Sequence, residues 1–255
     1  MDGELLRIGH KGADALVPGN TIASFRAAVE AGVDAIELDL LRPRADFERS
    51  EDWRRAAAGP GTTPRGPLVI AHDWGDAARR EPLSLEECLD AFGRAPLDRV
   101  RINLDLKVAG REDEVAAALR EHGLFERAMV STMEVASLRY LGEHEPELRR
   151  GWTLPRVSRD WNRRRWARPL VLAGSATLRA RLPGMVERRA PKLGAWAAWV
   201  YDPLITSRLV SAAHRAGIAV IAWTVDEPAR MGELAALGVD GICSNDPRLF
   251  SGLGS

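Results

Sequence analysis

Neither sign of charge is in excess: 36 Lys and Arg face 36 Asp and Glu across 255 residues, so the chain carries no general attraction to nucleic acid or to an anionic membrane. Cysteine is scarce. Cys88 and Cys243 stand alone without CxxC spacing, which excludes a disulfide framework and a Cys-based zinc site and predicts two buried thiols in a reducing compartment. Long apolar runs are missing too; none approaches the roughly 20 residues needed to span a bilayer. "MDGELLRIGH" at the start shows no basic segment followed by an apolar core, so the expectation is a soluble, cytoplasmic protein with no transmembrane segment. Lysine is the rarest of the charged residues: Lys11, Lys107 and Lys192 are the only three among the 36 basic residues. In a chain that otherwise uses arginine, each retained lysine marks a position to inspect.

Short β-like runs alternate with helical periods: "LLRIGH" (5–10), "DAIELDLL" (34–41), "LVIAHD" (68–73), "VRINLDLKV" (100–108), "AMVST" (128–132), "RGWTL" (150–154), "AAWVYD" (197–202), "IAVIAWTV" (218–225) and "GICSN" (241–245). Between them, 20–31, 111–122 and 205–216 repeat apolar residues at helical spacing, the first opening on Asn20 or Thr21 as N-cap and closing at Gly32. Alternating β and α units predict a parallel sheet with helices outside it, and eight of them close a (β/α)8 TIM barrel in one domain, 1–255. Nine strands are one too many. The polar stretch 42–66 has the character of an excursion at the rim, so 68–73 is expected to return antiparallel beside the end of 34–41, outside the barrel. Residues 156–192, basic and containing Trp161 and Trp166, read as a helical crossover, or as a surface that meets phospholipid head groups.

In a parallel barrel, reactive residues lie where strands end. His10 ends the first strand; Glu37 and Asp39 end the second; His72 and Asp73 end the returning strand; Asp105 and Lys107 end the next; Trp223 lies near the end of the run 218–225. Alternation puts Glu37 and Asp39 on one face, and likewise Asp105 and Lys107. Three carboxylates converging on one rim repel unless a cation neutralises them, and an all-oxygen ligand set favours Mg²⁺ or Ca²⁺ over zinc. Lys11 and Lys107, compact point charges, suit contact with a phosphate oxygen. His122, His144 and His214, in charged surroundings, are expected on the surface.

At these residues the sequence resembles the glycerophosphodiester phosphodiesterase family. "HKG" (10–12), "PGNT" (18–21), "IELDL" (36–40), "IAHD" (70–73), "LDLK" (104–107), "AWTVDE" (222–227) and "GVDGICSNDP" (238–247) follow the order of that family's His-Arg-Gly, Pro-Glu-Asn-Thr, Glu-x-Asp, His-Asp, Ile-Glu-Ile-Lys and Trp-Thr-Val motifs. The resemblance implies a barrel that uses one divalent cation to split a glycerophosphodiester into an alcohol and sn-glycerol 3-phosphate. It makes Glu37, Asp39 and Asp105 the metal ligands, His10 and His72 the acid/base pair, Lys11 and Lys107 the phosphate contacts, and Trp223 part of the substrate pocket. One histidine would deprotonate a neighbouring substrate hydroxyl that attacks phosphorus, the other would protonate the leaving alcohol, and water would open the cyclic phosphate.

Four features depart from the pattern: Lys11 replaces Arg, Gly19 replaces Glu, Asp105 is a methylene shorter than Glu, and the long insertion lies before "HD" rather than after it. Asp-x-Lys also resembles the sphingomyelinase D-like phospholipases, which implies lysophospholipids as alternative substrates. A catalytically silent barrel that binds a phosphorylated ligand is the alternative from another class. Gly12 is expected to let the backbone approach the ligand, and helix 20–31 to aim its positive end at the anion.

Overall fold

The computed structural model describes residues 4–42, 66–156 and 168–253, with backbone alone for 168–175. Eight parallel strands close on themselves: β1 (Leu6–His10), β2 (Ala35–Leu41), β4 (Arg101–Leu106), β5 (Ala128–Thr132), β6 (Arg149–Leu154), β7 (Ala197–Tyr201), β8 (Ala219–Trp223) and β9 (Gly241–Ser244), with β9 and β2 both paired to β1. The ninth strand is β3 (Val69–Ile70), which runs antiparallel to β2 with Leu40 opposite Ile70. Pairing of β1 with β2 ends at His10 and Glu37, so the last residues of β2 have a free edge, and β3 occupies it. The returning strand is where the sequence placed it but is two residues long instead of six. His72 and Asp73 have already left it, and Asp73 caps the helix Trp74–Arg79 by accepting from the Asp76 N–H at 2.8 Å.

Period-two alternation produces two apolar layers. Ile36, Leu38, Leu40, Ile102 and Leu104 face the helices, in a layer that includes Phe25, Leu89, Phe92 and Leu119. Facing inward, Ile8, Ala35, Met129, Ala197, Trp199, Ala219, Ile221 and Cys243 fill the barrel. Trp199 fits because Gly151 on β6, level with Ala197, leaves room for its ring: a Cβ on Gly151 would lie 2.4 Å from the indole Nε1. Burying each such large side chain contributes about 1.5–3 kcal/mol, enough to make this packed floor rigid. The polar rim stands on it.

Helix Ile22–Glu30 is capped by Thr21, whose hydroxyl accepts from the Ser24 N–H, and it buries Phe25, Ala28 and Val29. The two cysteines are free and buried, as composition predicted. His144 and His214 are exposed, but His122 is only 17 % exposed, since it closes on Glu86 and Asp90 of the neighbouring helix at 3.4 and 3.2 Å. A helix at Arg168–Arg189 occupies much of the basic crossover. The Trp161 and Trp166 surface and most of the 42–66 excursion lie outside the described residues. Among the described residues no helix is long and apolar enough to cross a membrane.

Candidate active site

Strand register brings the carboxylates together. Asp39 on β2 is level with Asp105 on β4, while Glu37, two residues lower on the same face, is level with His10 on β1. Glu37, Asp39 and Asp105 are buried, and one oxygen from each lies within 4.8 Å of the others, so the shorter Asp105 reaches the cluster. The Lys107 ammonium sits among them, 2.5 Å from Asp39 Oδ1 and 2.5 Å from Asp105 Oδ2. Its backbone N–H donates to Leu40 O just past the end of β4, which aims the side chain back over the rim.

One ammonium does not balance three carboxylates. Two unit charges 4.8 Å apart repel by roughly 3 kcal/mol at an effective dielectric of about 20. The molecule shows this imbalance at Glu37, where burial first and the Asp39 charge second push the carboxyl well above its usual range. Burial acts on Asp39 too, but Lys107, then His72, His10 and Lys11, pull its carboxyl below the usual range. The same carboxylates hold the Lys107 ammonium charged despite its burial. Hard oxygen donors, clustered, buried and under-neutralised, fit a divalent cation such as Mg²⁺ or Ca²⁺.

A second tier fixes the ligand side chains. Asn20, at φ +59 in the left-handed region that Asn tolerates, donates from Nδ2 to Asp39 Oδ2 at 2.8 Å and accepts from the Asp39 N–H at 3.2 Å. Asp105 Oδ1 accepts from Ser131 Oγ at 2.7 Å and from Thr153 Oγ1 at 3.3 Å, and Asn103 Nδ2 donates to Ser131 at 2.9 Å. Of these only Asn20 was visible in the sequence, as one candidate N-cap; Thr21 takes that role and frees Asn20 to grip Asp39.

His10 leans over Glu37 with Nε2 3.8 Å from Oε2, and its Nδ1 lies 2.6 Å from Asn245 Oδ1. Burial, then the Lys11 charge, lowers its pKa. The Lys11 N–H donates to Glu37 Oε2 at 3.2 Å, and its ammonium is 3.6 Å from Asp14. Gly19 belongs to this corner: its N–H donates to Asp14 Oδ1 at 2.8 Å, and a Cβ there would come within 2.5 Å of that oxygen and 2.7 Å of Lys11 Cβ. Gly12 lies close against a helix. At φ +88 it lets the loop press on helix Ile22–Glu30, where a Cβ would lie 2.6 Å from the Ser24 carbonyl carbon.

His72 comes back to the Asp39 end of the rim, exposed, with Nδ1 3.1 Å from Asp73 Oδ2 and its N–H donating to Asp76 at 3.2 Å. Arg80 secures that return by donating to Asn20 O at 3.2 Å and Ile70 O at 3.3 Å while paired with Asp76 at 2.8 Å. At the ends of β7 and β8 the rings of Tyr201 and Trp223 pack with centroids 5.7 Å apart, and the Trp223 Nε1 is buried without a hydrogen-bond partner among the described residues.

Comparison with known proteins agrees with this geometry. The glycerophosphoryl diester phosphodiesterase family model matches residues 10–42 and 96–249, a span that holds every rim residue above except those of the 66–95 return, His72 among them. A glycerophosphodiester phosphodiesterase of Arabidopsis thaliana is 35% identical over 258 residues, covering 96% of this chain and 71% of its own length. One from Caldanaerobacter subterraneus subsp. tengcongensis is 26% identical over 266 residues, covering 97% of each. Among solved structures, an Oleispira antarctica phosphodiesterase in complex with the product sn-glycerol-3-phosphate shares the fold at TM-score 0.66 and 18% identity, over 97% of this chain and 96% of that one.

Proposed function

The chain belongs to the glycerophosphoryl diester phosphodiesterase family, phosphoric diester hydrolases, and we propose that it cleaves glycerophosphodiesters to an alcohol and sn-glycerol 3-phosphate at the C-terminal rim of the barrel. The observation that carries this reading is the convergence, on one polar rim, of three buried carboxylates with His10, His72, Lys11 and Lys107 around them. Glu37, Asp39 and Asp105 would hold one divalent cation, Mg²⁺ or Ca²⁺, which when bound supplies charge neutralisation for the phosphate. Lys11 and Lys107 add positive charge for the same anion. Trp223, with Tyr201 beside it, walls the side where the organic part of the substrate lies.

A phosphodiester resists attack because it is anionic, and its leaving alkoxide is a strong base. Two groups able to move protons near neutral pH meet both demands, and histidine is the side chain suited to it. One imidazole removes the proton from the glycerol hydroxyl next to the phosphoryl group. That oxygen attacks phosphorus, the bond to the alcohol breaks, and the other imidazole protonates the departing oxygen. Water then opens the cyclic phosphate with the roles reversed. The two buried free thiols suit a reducing, cytoplasmic setting.

The test is turnover of glycerophosphocholine by wild type, His10→Ala and His72→Ala, followed by ³¹P NMR in saturating Mg²⁺ or Ca²⁺. We expect glycerol 3-phosphate from wild type and a loss of roughly 100-fold or more in each variant. A variant with full turnover removes that histidine from proton transfer. Wild type inert on glycerophosphodiesters but active on lysophospholipids would move the substrate class, and inertness on both would leave a binding protein.

A further inference from the structure

Behind His10 runs a chain of hydrogen bonds in which donor and acceptor chemistry leaves a single arrangement. Asp226, in the loop after β8, accepts hydrogen bonds at both side-chain oxygens. It receives the Asn245 N–H at 2.8 Å and the Ser244 hydroxyl at 2.9 Å on Oδ1, and the Asn245 side-chain amide at 2.6 Å on Oδ2. The Asn245 atom that faces Asp226 is therefore its NH₂ group, and the atom that faces His10, at 2.6 Å, is its carbonyl oxygen. A carbonyl oxygen accepts only, so His10 must carry its proton on Nδ1. Nε2 is then left with its lone pair, on the side of the ring toward Glu37.

The main chain holds this relay from both sides. Ala15 N–H, in the loop after His10, donates to Asn245 O at 3.0 Å, and Val225 N–H, beside Asp226, donates to Cys243 O at 2.9 Å. Register and amide orientation are thereby tied together across β8, β9 and the β1 loop.

We propose that Asp226 is a positioning residue: acting through Asn245, it locks His10 in the Nδ1–H tautomer, so that Nε2 faces the rim as a proton acceptor. This rests on the reading that His10 transfers protons. Without Asp226 the Asn245 amide is free to turn over, presenting NH₂ to His10 and favouring the opposite tautomer, whose Nε2 cannot accept a proton. Exchanging the two side chains keeps the logic, because an amide at position 226 can donate to a carboxylate at position 245, which accepts from His10 Nδ1 as the original carbonyl does.

The tautomer of His10 is read directly by long-range ¹H–¹⁵N correlation on histidine-labelled protein, assigned with His10→Ala, alongside kcat and KM. Wild type should show His10 protonated on Nδ1. Asp226→Ala should shift signal toward the Nε2–H form and lower kcat by roughly 10- to 100-fold with KM within about twofold. The exchange D226N/N245D should restore the Nδ1–H form and most of kcat, which a merely structural role of Asp226 does not predict. An Nε2–H tautomer in wild type, or an Asp226→Ala protein with wild-type tautomer and kcat, overturns the proposal. Failure of the underlying reading looks different: His10→Ala would keep its turnover whatever the tautomer.

Discussion

Lys107→Met tests the electrostatics of the rim. The ammonium lies 2.5 Å from both Asp39 Oδ1 and Asp105 Oδ2, and the lysine side chain is 22 % exposed. At an effective dielectric of about 20, each contact amounts to roughly 6–7 kcal/mol of gross attraction, largely offset by the desolvation of the charges involved. Removing one partner of a buried pair typically costs about 3–5 kcal/mol. Here the lower figure applies, because Glu37, its carboxyl already raised by burial and by Asp39, can take up a proton and relieve part of the repulsion. Without added cation, a loss of about 3 kcal/mol corresponds to a Tm lowered by about 6–12 °C for a chain of this size. Added Mg²⁺ or Ca²⁺ should do the reverse. An ammonium and a divalent ion compete for the same two oxygens, so the variant should bind cation at least about tenfold more tightly, a gain of about 1.4 kcal/mol. Differential scanning fluorimetry over a cation titration reads both effects. Unchanged stability in chelator together with an unchanged cation affinity would refute the coupling between Lys107 and the carboxylates.

Gly19→Ala puts a Cβ into the Asp14 oxygen and Lys11, so urea unfolding should show a loss of about 1–3 kcal/mol and turnover a raised KM, both without change in the barrel. Asp34 is pushed up by burial but pulled down further by its bonds to Arg7, so its carboxyl titrates below the unfolded value. Its contribution is thus full above the ordinary carboxylate pKa near 4 and lost as pH falls through the lower folded value; for a partly exposed pair this is under about 1 kcal/mol. Asp34→Asn should therefore flatten the acid limb of Tm against pH below about 5. Arg150, buried, donates from Nη1 to the carbonyls of Glu145, Pro146 and Leu148 at 2.9, 3.2 and 3.0 Å, and Arg150→Met should cost about 2–3 kcal/mol in a urea titration by leaving them without that donor.

The carboxylate cluster was legible because strand periodicity is short-range and strict: Glu37 and Asp39, two residues apart, must share a face, and Asp105 follows once β4 lies beside β2. His72 was legible for a different reason, since nine strand-like runs cannot all enter an eight-stranded barrel. What sequence pattern could not reveal were contacts between distant loops. Asn245 meets His10 from 235 positions away, and Ser131 and Thr153, 26 and 48 positions from Asp105, look like ordinary strand residues until the barrel closes. The packing of Gly12 on Ser24 belongs with these contacts, because a glycine read from sequence does not show which neighbour its missing Cβ makes room for.

The measurement closest to the central claim is release of glycerol 3-phosphate from glycerophosphocholine in excess chelator and after addition of Mg²⁺ or Ca²⁺, with Asp39→Asn beside wild type. Release that stops in chelator, returns with cation, and is lost in Asp39→Asn is the predicted result. Release that continues undiminished in chelator, or in the Asp39→Asn protein, would contradict the assignment of Glu37, Asp39 and Asp105 as the ligands of a catalytic divalent ion.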